Sequence, residues 1–150
     1  IRDSTQGEPV SVYATEDSES LELRGAVFLR CADMGTAQVE EIIFTVALPE
    51  GGAPVNMTPP PDNVVRISYE DPVQQVSDLP WRMEEYIPGD GDVMLEPGET
   101  FLLSVPVGVA LEHPLGPDTA FTVSVRTPDG AVMRFQRMAP AVLDPVMNLN

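Results

Sequence analysis

Run after run of this chain alternates apolar with polar residues, and each run stops at a proline or glycine turn. A period of two puts every second side chain on one face of an extended strand, so each run reads as a half-buried β-strand. In SVYAT the face is Val12 and Ala14; in LELRGAVFLRC it is Leu21, Leu23, Val27, Leu29 and Cys31. The following runs place Ile42, Phe44, Val46 and Leu48, then Val65, Ile67 and Tyr69, then Trp81, Met83 and Ile87 on common faces. FLLSVPVGV aligns Phe101, Leu103, Val105, Val107 and Val109. FTVSVRT aligns Phe121, Val123 and Val125, and AVMRFQRM aligns Met133 and Phe135. The turns between them are PEGGAP, TPPPDN, PGDGD, GPDT and TPDG.

About eight strands with turn chemistry between them predict an all-β fold, an antiparallel β-sandwich or a flattened β-barrel. Pro128-Asp129-Gly130 marks the clearest hairpin. Pro106 lacks a ladder donor, so its strand lies at an edge or ends near there. Residues 1–9 are polar and read as a loose connector, leaving 10–150 as a single domain. The tail APAVLDPVMNLN reads either as an extra strand or as a segment that packs on something outside the domain.

Twenty-four acids against eight bases give a formal charge of -16, and every base is an arginine. Nucleic acid is excluded as a partner, because phosphates need cationic neutralisation. Anionic membrane surfaces are excluded for the same reason. The charge fits a protein kept soluble at high concentration or in high salt, or a general bias of composition. No run approaches the roughly 18 apolar residues of a membrane span. Cys31 is the single cysteine, so no internal disulfide forms, and its apolar run reads as a buried, inert thiol. His113 stands alone in a loop and cannot build a metal triad or a nucleophilic triad by itself. Trp81 alternates with Met83 and reads as core rather than as a sugar platform.

The densest chemistry is in GDGDVMLEPGE, residues 89–99, where Asp90, Asp92, Glu96 and Glu99 crowd one glycine-rich loop. Crowded carboxylates spread into water, share protons or bind a cation. Asp90 and Asp92 alternate and can converge on one hard ion such as Ca²⁺, with Glu96 or Glu99 closing the site. An EF-hand is excluded: counting from Asp90, Met94 and Leu95 fall where an oxygen ligand and a glycine are required, and Phe101 where a glutamate is required. Spacing leaves a cation site and a solvated turn both open, with acid catalysis far behind. Asn56-Met57-Thr58 is an N-glycosylation sequon in a proline-rich loop, relevant if the chain is exported.

GDGDVMLEPGE resembles the corresponding stretch of archaellins, the subunits of the archaeal swimming filament. The resemblance continues through Gly116-Pro117-Asp118-Thr119 with Phe121, then Pro128-Asp129-Gly130-Ala131, then Leu143-Asp144-Pro145-Val146-Met147. EEIIFTVALPEGGAPVNMT is similar to the family's strand and loop further upstream. The resemblance implies an Ig-like β-sandwich, a structural subunit without enzymatic activity, displayed outside the cell on the archaellum. It implies a bound cation, Ca²⁺ foremost, at Asp90, Asp92, Glu96 and Glu99, and a glycan on Asn56. Archaellins also resemble type IV pilins, whose long apolar N-terminal helix packs in the filament core. That helix is absent from these residues, so the isolated domain is expected to be monomeric and filament self-association to run through the helix. The competing expectation is a calcium-stabilised adhesive domain at the cell surface, using Trp81 and Tyr86.

Overall fold

The computed structural model describes residues 15–31, 38–87 and 92–150, with 85–87 described for their backbone only. The connector 1–9 and the first predicted strand face, Val12 and Ala14, lie outside them. Twelve strands are present among the described residues: β1 (Thr15–Glu16), β2 (Glu22–Arg30), β3 (Glu41–Ala47), β4 (Val55–Asn56), β5 (Arg66–Asp71), β6 (Gln74–Val76), β7 (Arg82–Ile87), β8 (Met94–Leu95), β9 (Thr100–Val105), β10 (Ala120–Arg126), β11 (Val132–Met138) and β12 (Val146–Asn148). One helical turn, α1 (Val107–Ala110), follows β9.

The strands form two five-stranded antiparallel sheets, ordered β12-β2-β3-β9-β7 and β1-β11-β10-β5-β6, with a two-stranded ribbon β4-β8 beside them. This is the expected sandwich. The sheets end in open edges rather than closing on each other as a barrel. The strand count exceeds the expected eight because several strands are only two or three residues long, too short for alternation to register.

The predicted faces pack together. Ile42, Phe44, Val46, Phe101, Leu103 and Val105 from the first sheet meet Ile67, Tyr69, Val123, Val125, Met133 and Phe135 from the second in one apolar core. Phe44 and Phe135 bridge the sheets edge to face, ring centroids 5.0 Å apart. In β2 the register jumps from Arg24↔Thr45 to Phe28↔Ile43. Two extra residues are accommodated in this bulge, and Gly25 supplies the positive φ of 75°. Because the excess is even, Leu23 and Leu29 stay on the same face, opposite Val46 and Ile42.

Pro106 ends β9, which is an interior strand and not an edge. Beyond it the chain turns helical, so the expected continuation of the apolar face holds for buried Val107 but fails at Val109, which is 82% exposed. Proline's fixed φ and missing N–H favour the start of a helical turn over a further ladder residue. The tail is a strand: β12 pairs with β2, and Met147 and Leu149 are buried.

Polar side chains fasten the sandwich at three places. On the outer face of the first sheet, Glu41 accepts from Arg30 and Arg82 and from the Ser104 hydroxyl (3.1 Å), so one carboxylate links four neighbouring strands. At the β5–β6 turn, burial opposes ionisation of Asp71, but bonds from Gln74, Tyr69 and the Val73 and Gln74 amides outweigh it and lower its pKa. Gln74 in turn exchanges hydrogen bonds with the His113 backbone at 2.6 and 3.2 Å, so His113 serves through its main chain. Buried Arg137 donates to the Asn150 carbonyl (2.9 Å) and to Thr15 Oγ1 (2.7 Å), tying both described ends of the chain to β11. Burial by the core raises the Cys31 thiol pKa, with Glu40 and Asp144 adding to it, as an inert cysteine requires.

Candidate functional site

The acidic loop sits where the ribbon β4-β8 meets the end of the first sheet. Val55, Met57 and Leu95 are buried, and Met57 N–H donates to the Val93 carbonyl at 2.8 Å, so apolar anchors and a backbone bond fix the loop to the sandwich. The Asp92 carboxylate accepts from Met94 N–H at 3.0 Å, closing a local turn. Glu99 N–H donates to the Glu96 carbonyl at 3.0 Å, with Pro97 and Gly98 between them and Gly98 at φ 89°. Proline then glycine at the central positions makes this a type II turn, whose third residue needs a positive φ.

That turn folds three of the four expected ligands together. One carboxylate oxygen from each of Asp92, Glu96 and Glu99 lies within 4.8 Å of the others. Asp92 is exposed, Glu96 half-buried and Glu99 buried. Asp90 lies outside the described residues. Glu99 also accepts from Glu96 N–H at 2.9 Å, so it serves the turn as well as the cluster. A carboxylate offers about four acceptor sites, so one backbone bond does not exhaust it. The donors are all oxygen, and ligand oxygens about 2.3–2.6 Å from an ion stand up to about 5 Å apart across it. The three residues thus fit a hard cation such as Ca²⁺, with Glu99 the best fixed of them. The group is made of carboxylates alone, a poor basis for nucleophilic chemistry.

Asn56 is exposed on β4, directly across the ladder from Met94. Its side-chain oxygen accepts from Thr58 N–H (2.9 Å) and from the Thr58 hydroxyl (2.6 Å). The sequon asparagine and threonine are therefore in contact, on a segment tied to the acidic loop. Beside Asn56 lies a groove of about 470 Å³ between Gly51, Gly52 and Pro54 on one wall and Thr127 and Asp129 on the other. Hydrogen bonds from the Ser20 and Thr127 hydroxyls and the Ala131 amide hold the Asp129 carboxyl down to a pKa of about 2. Trp81 is core, 3% exposed, and donates from its indole N–H to the Val65 carbonyl at 3.3 Å. It is not available as a stacking platform for a sugar. Sequence reasoning located the acidic loop and the sequon but not their connection, because Met57–Val93 is a backbone bond with no side-chain signature.

No protein-family model matches the chain. In sequence it is similar to the probable flagellin 2 of Archaeoglobus fulgidus, 28% identical over 147 residues that cover 87% of this chain and 70% of that protein. In fold it is similar to the archaeal flagellin FlaB1 of Methanocaldococcus jannaschii, with a TM-score of 0.69 at 12% identity, covering 91% of this chain and 97% of that one. The archaeal flagellum of Methanospirillum hungatei gives a TM-score of 0.65 at 14% identity, covering 88% of this chain and 71% of that one. The chain is thus similar in sequence to a flagellin and shares the fold of two archaeal flagellin structures, each over most of that protein's length.

Proposed function

We propose that this domain is the outer, globular part of a structural subunit of the archaellum, exposed at the archaeal cell surface and without enzymatic activity. The observation that carries this reading is the sequence likeness to a flagellin, which extends over 70% of that protein rather than over one motif. The two flagellin-like folds support it. So does the form of the molecule, a sandwich whose polar groups fasten strands to one another. Filament self-association runs through a pilin-like helix upstream of Ile1, and Asn56 carries an N-linked glycan in the filament. The test is mass spectrometry of filaments sheared from cells that express the full-length gene. Peptides of this chain are expected as a main constituent, with a glycan mass on the peptide containing Asn56. Filaments that lack the chain altogether would sink the subunit reading; an unmodified Asn56 peptide would sink only the glycan.

A hard cation, Ca²⁺ foremost, stabilises the acidic loop in this reading, held by Asp92, Glu96 and Glu99 together with Asp90. A cation there relieves the repulsion among the carboxylates and clamps the type II turn to the ribbon. Binding to the folded state alone at a hundredfold excess over Kd adds about 2.7 kcal/mol. At about 2–4 °C per kcal/mol for a chain of this size, the melting temperature rises by roughly 5–11 °C between chelator and saturating Ca²⁺. An Asp92→Asn/Glu99→Gln variant is expected to lose most of that shift. An equal shift in the variant would place the ion elsewhere. Of the two aromatics behind the adhesive alternative, Trp81 is in the core, and the side chain of Tyr86 lies outside the described residues.

A further inference from the structure

The outer face of the second sheet carries a cluster of arginines, one of them without a carboxylate among the described residues. Its cross-strand rows are Arg66↔Arg126↔Val132, Ser68↔Ser124↔Arg134 and Glu70↔Thr122↔Gln136. The face is rich in hydroxyls, and a depression of about 320 Å³ runs over Ser68, Ser77, Thr122, Ser124, Arg126 and Arg134. Three of the chain's eight arginines lie on it. Arg66 pairs with Asp78 at 3.2 Å and Arg134 with Glu16 at 3.4 Å. Arg126 is exposed and has no carboxylate partner among the described residues, and it stands directly opposite Arg66.

Like charges directly opposite across a ladder destabilise a sheet. A chain with three acids for every base has carboxylates to spare, yet this arginine has none among the described residues. Counting Glu16, Glu70 and Asp78 against Arg66, Arg126 and Arg134, the described residues of this face are neutral while the chain carries -16. When copies of so acidic a molecule approach, a face balanced in this way repels an acidic surface less than the chain's average surface does.

We propose that the outer face of the second sheet is a docking surface for a second copy of this chain, with Arg126 receiving a carboxylate from the neighbour's acidic surface. The carboxylate comes from a different surface of the neighbour, so the contact is head to tail. Head-to-tail contacts that do not close generate helical filaments. The inference rests on the filament reading for its partner, but the face itself does not depend on it. Arginine offers a planar fork that takes a carboxylate with two parallel hydrogen bonds.

The chain has no lysine, which makes a direct test available. In full-length subunits carrying Arg126→Lys, filaments are treated with a water-soluble carbodiimide, which joins an amine to a carboxylate in contact with it. The expected result is a covalent dimer in the variant filaments whose linked peptide joins the introduced amine to an Asp or Glu of another copy, a peptide that unsubstituted filaments cannot yield. The dimer should be lost when salt is added to about 1 M before the reagent, where the screening length is about 3 Å. Arg126→Gln should give no such dimer and should not lower the melting temperature, since the side chain is exposed and its charge faces Arg66. Filaments that form normally while the introduced amine links only to Glu70 or another residue of its own chain overturn the docking surface and leave the filament reading intact. A link to a different protein overturns the second copy as its occupant. If no filament contains the chain, the filament reading falls, and the same reaction on the soluble Arg126→Lys protein at about millimolar concentration, within the range of weak association, decides the face alone. A dimer linked through the introduced amine retains the face, and its absence removes it.

Discussion

Glu41→Ala is expected to lower the unfolding free energy by about 3 kcal/mol, at the lower end of the cost of breaking a buried ion pair. The Glu41 side chain is 11% exposed, while its partners Arg30 and Arg82 are 43% and 51% exposed. Both guanidinium groups therefore reach water once the carboxylate is gone, which limits the loss. Ser104 cannot do so, being fully buried with its hydroxyl bonded to Glu41. An orphaned buried hydroxyl alone costs about 1–3 kcal/mol. Glu41→Gln keeps an acceptor for Ser104 and should cost less than half as much. Urea unfolding of the three proteins measures the difference. A cost below about 1 kcal/mol for Glu41→Ala would reduce the cluster to an ordinary surface salt bridge.

Phe135→Ala is expected to cost about 3–5 kcal/mol, the largest single-residue effect in the domain. Phe135 and Phe44 are fully buried and are the contact through which the two sheets meet edge to face at 62°. Arg137 lies over the Phe135 ring, 5.7 Å from its centroid, so the cavity would open beside a buried cation. Against a typical stability of about 5–15 kcal/mol, the loss takes the protein a large part of the way to unfolding. The thermal midpoint should fall by roughly 6–20 °C, at about 2–4 °C per kcal/mol. A double-mutant cycle with Phe44→Leu and Phe135→Leu should return a coupling of about 0.5–1.5 kcal/mol. Zero coupling would mean that the rings fill space without a specific mutual geometry.

Phe135 was legible in the sequence, and Glu41 was not. The core positions repeat every second residue within one strand, so Phe101, Leu103 and Val105 declare their face locally. Glu41 is held by arginines from β2 and β7, and only the order of strands in the sheet reveals that the three side chains converge. The same difference divides the candidate site. Pro97-Gly98 states its turn in two residues, and that turn assembles the carboxylates of Glu96 and Glu99. The ribbon that anchors them is two residues long on each strand, below the length at which alternation can be seen. Val109 misled because the period continued past Pro106, while the backbone obeyed the proline instead. The arginine face needed the register of β10 against β5, since Arg66 and Arg126 are far apart in the chain.

The pairing of β1 with β11 and of β2 with β12 also sets a timetable. Thr15 finds Phe135, and Phe28 finds Asn148, so the earliest described strands take partners from near the very end of the sequence. Such long-range pairing is slow, because the closure entropy must be overcome before any contact is gained. As the chain emerges from the ribosome, β2 waits with one edge bare and Phe44 waits without Phe135 until β12 and β11 have been made. Whatever engages this chain during synthesis meets an open polypeptide, and the sandwich closes in one late step once its final strand has been delivered.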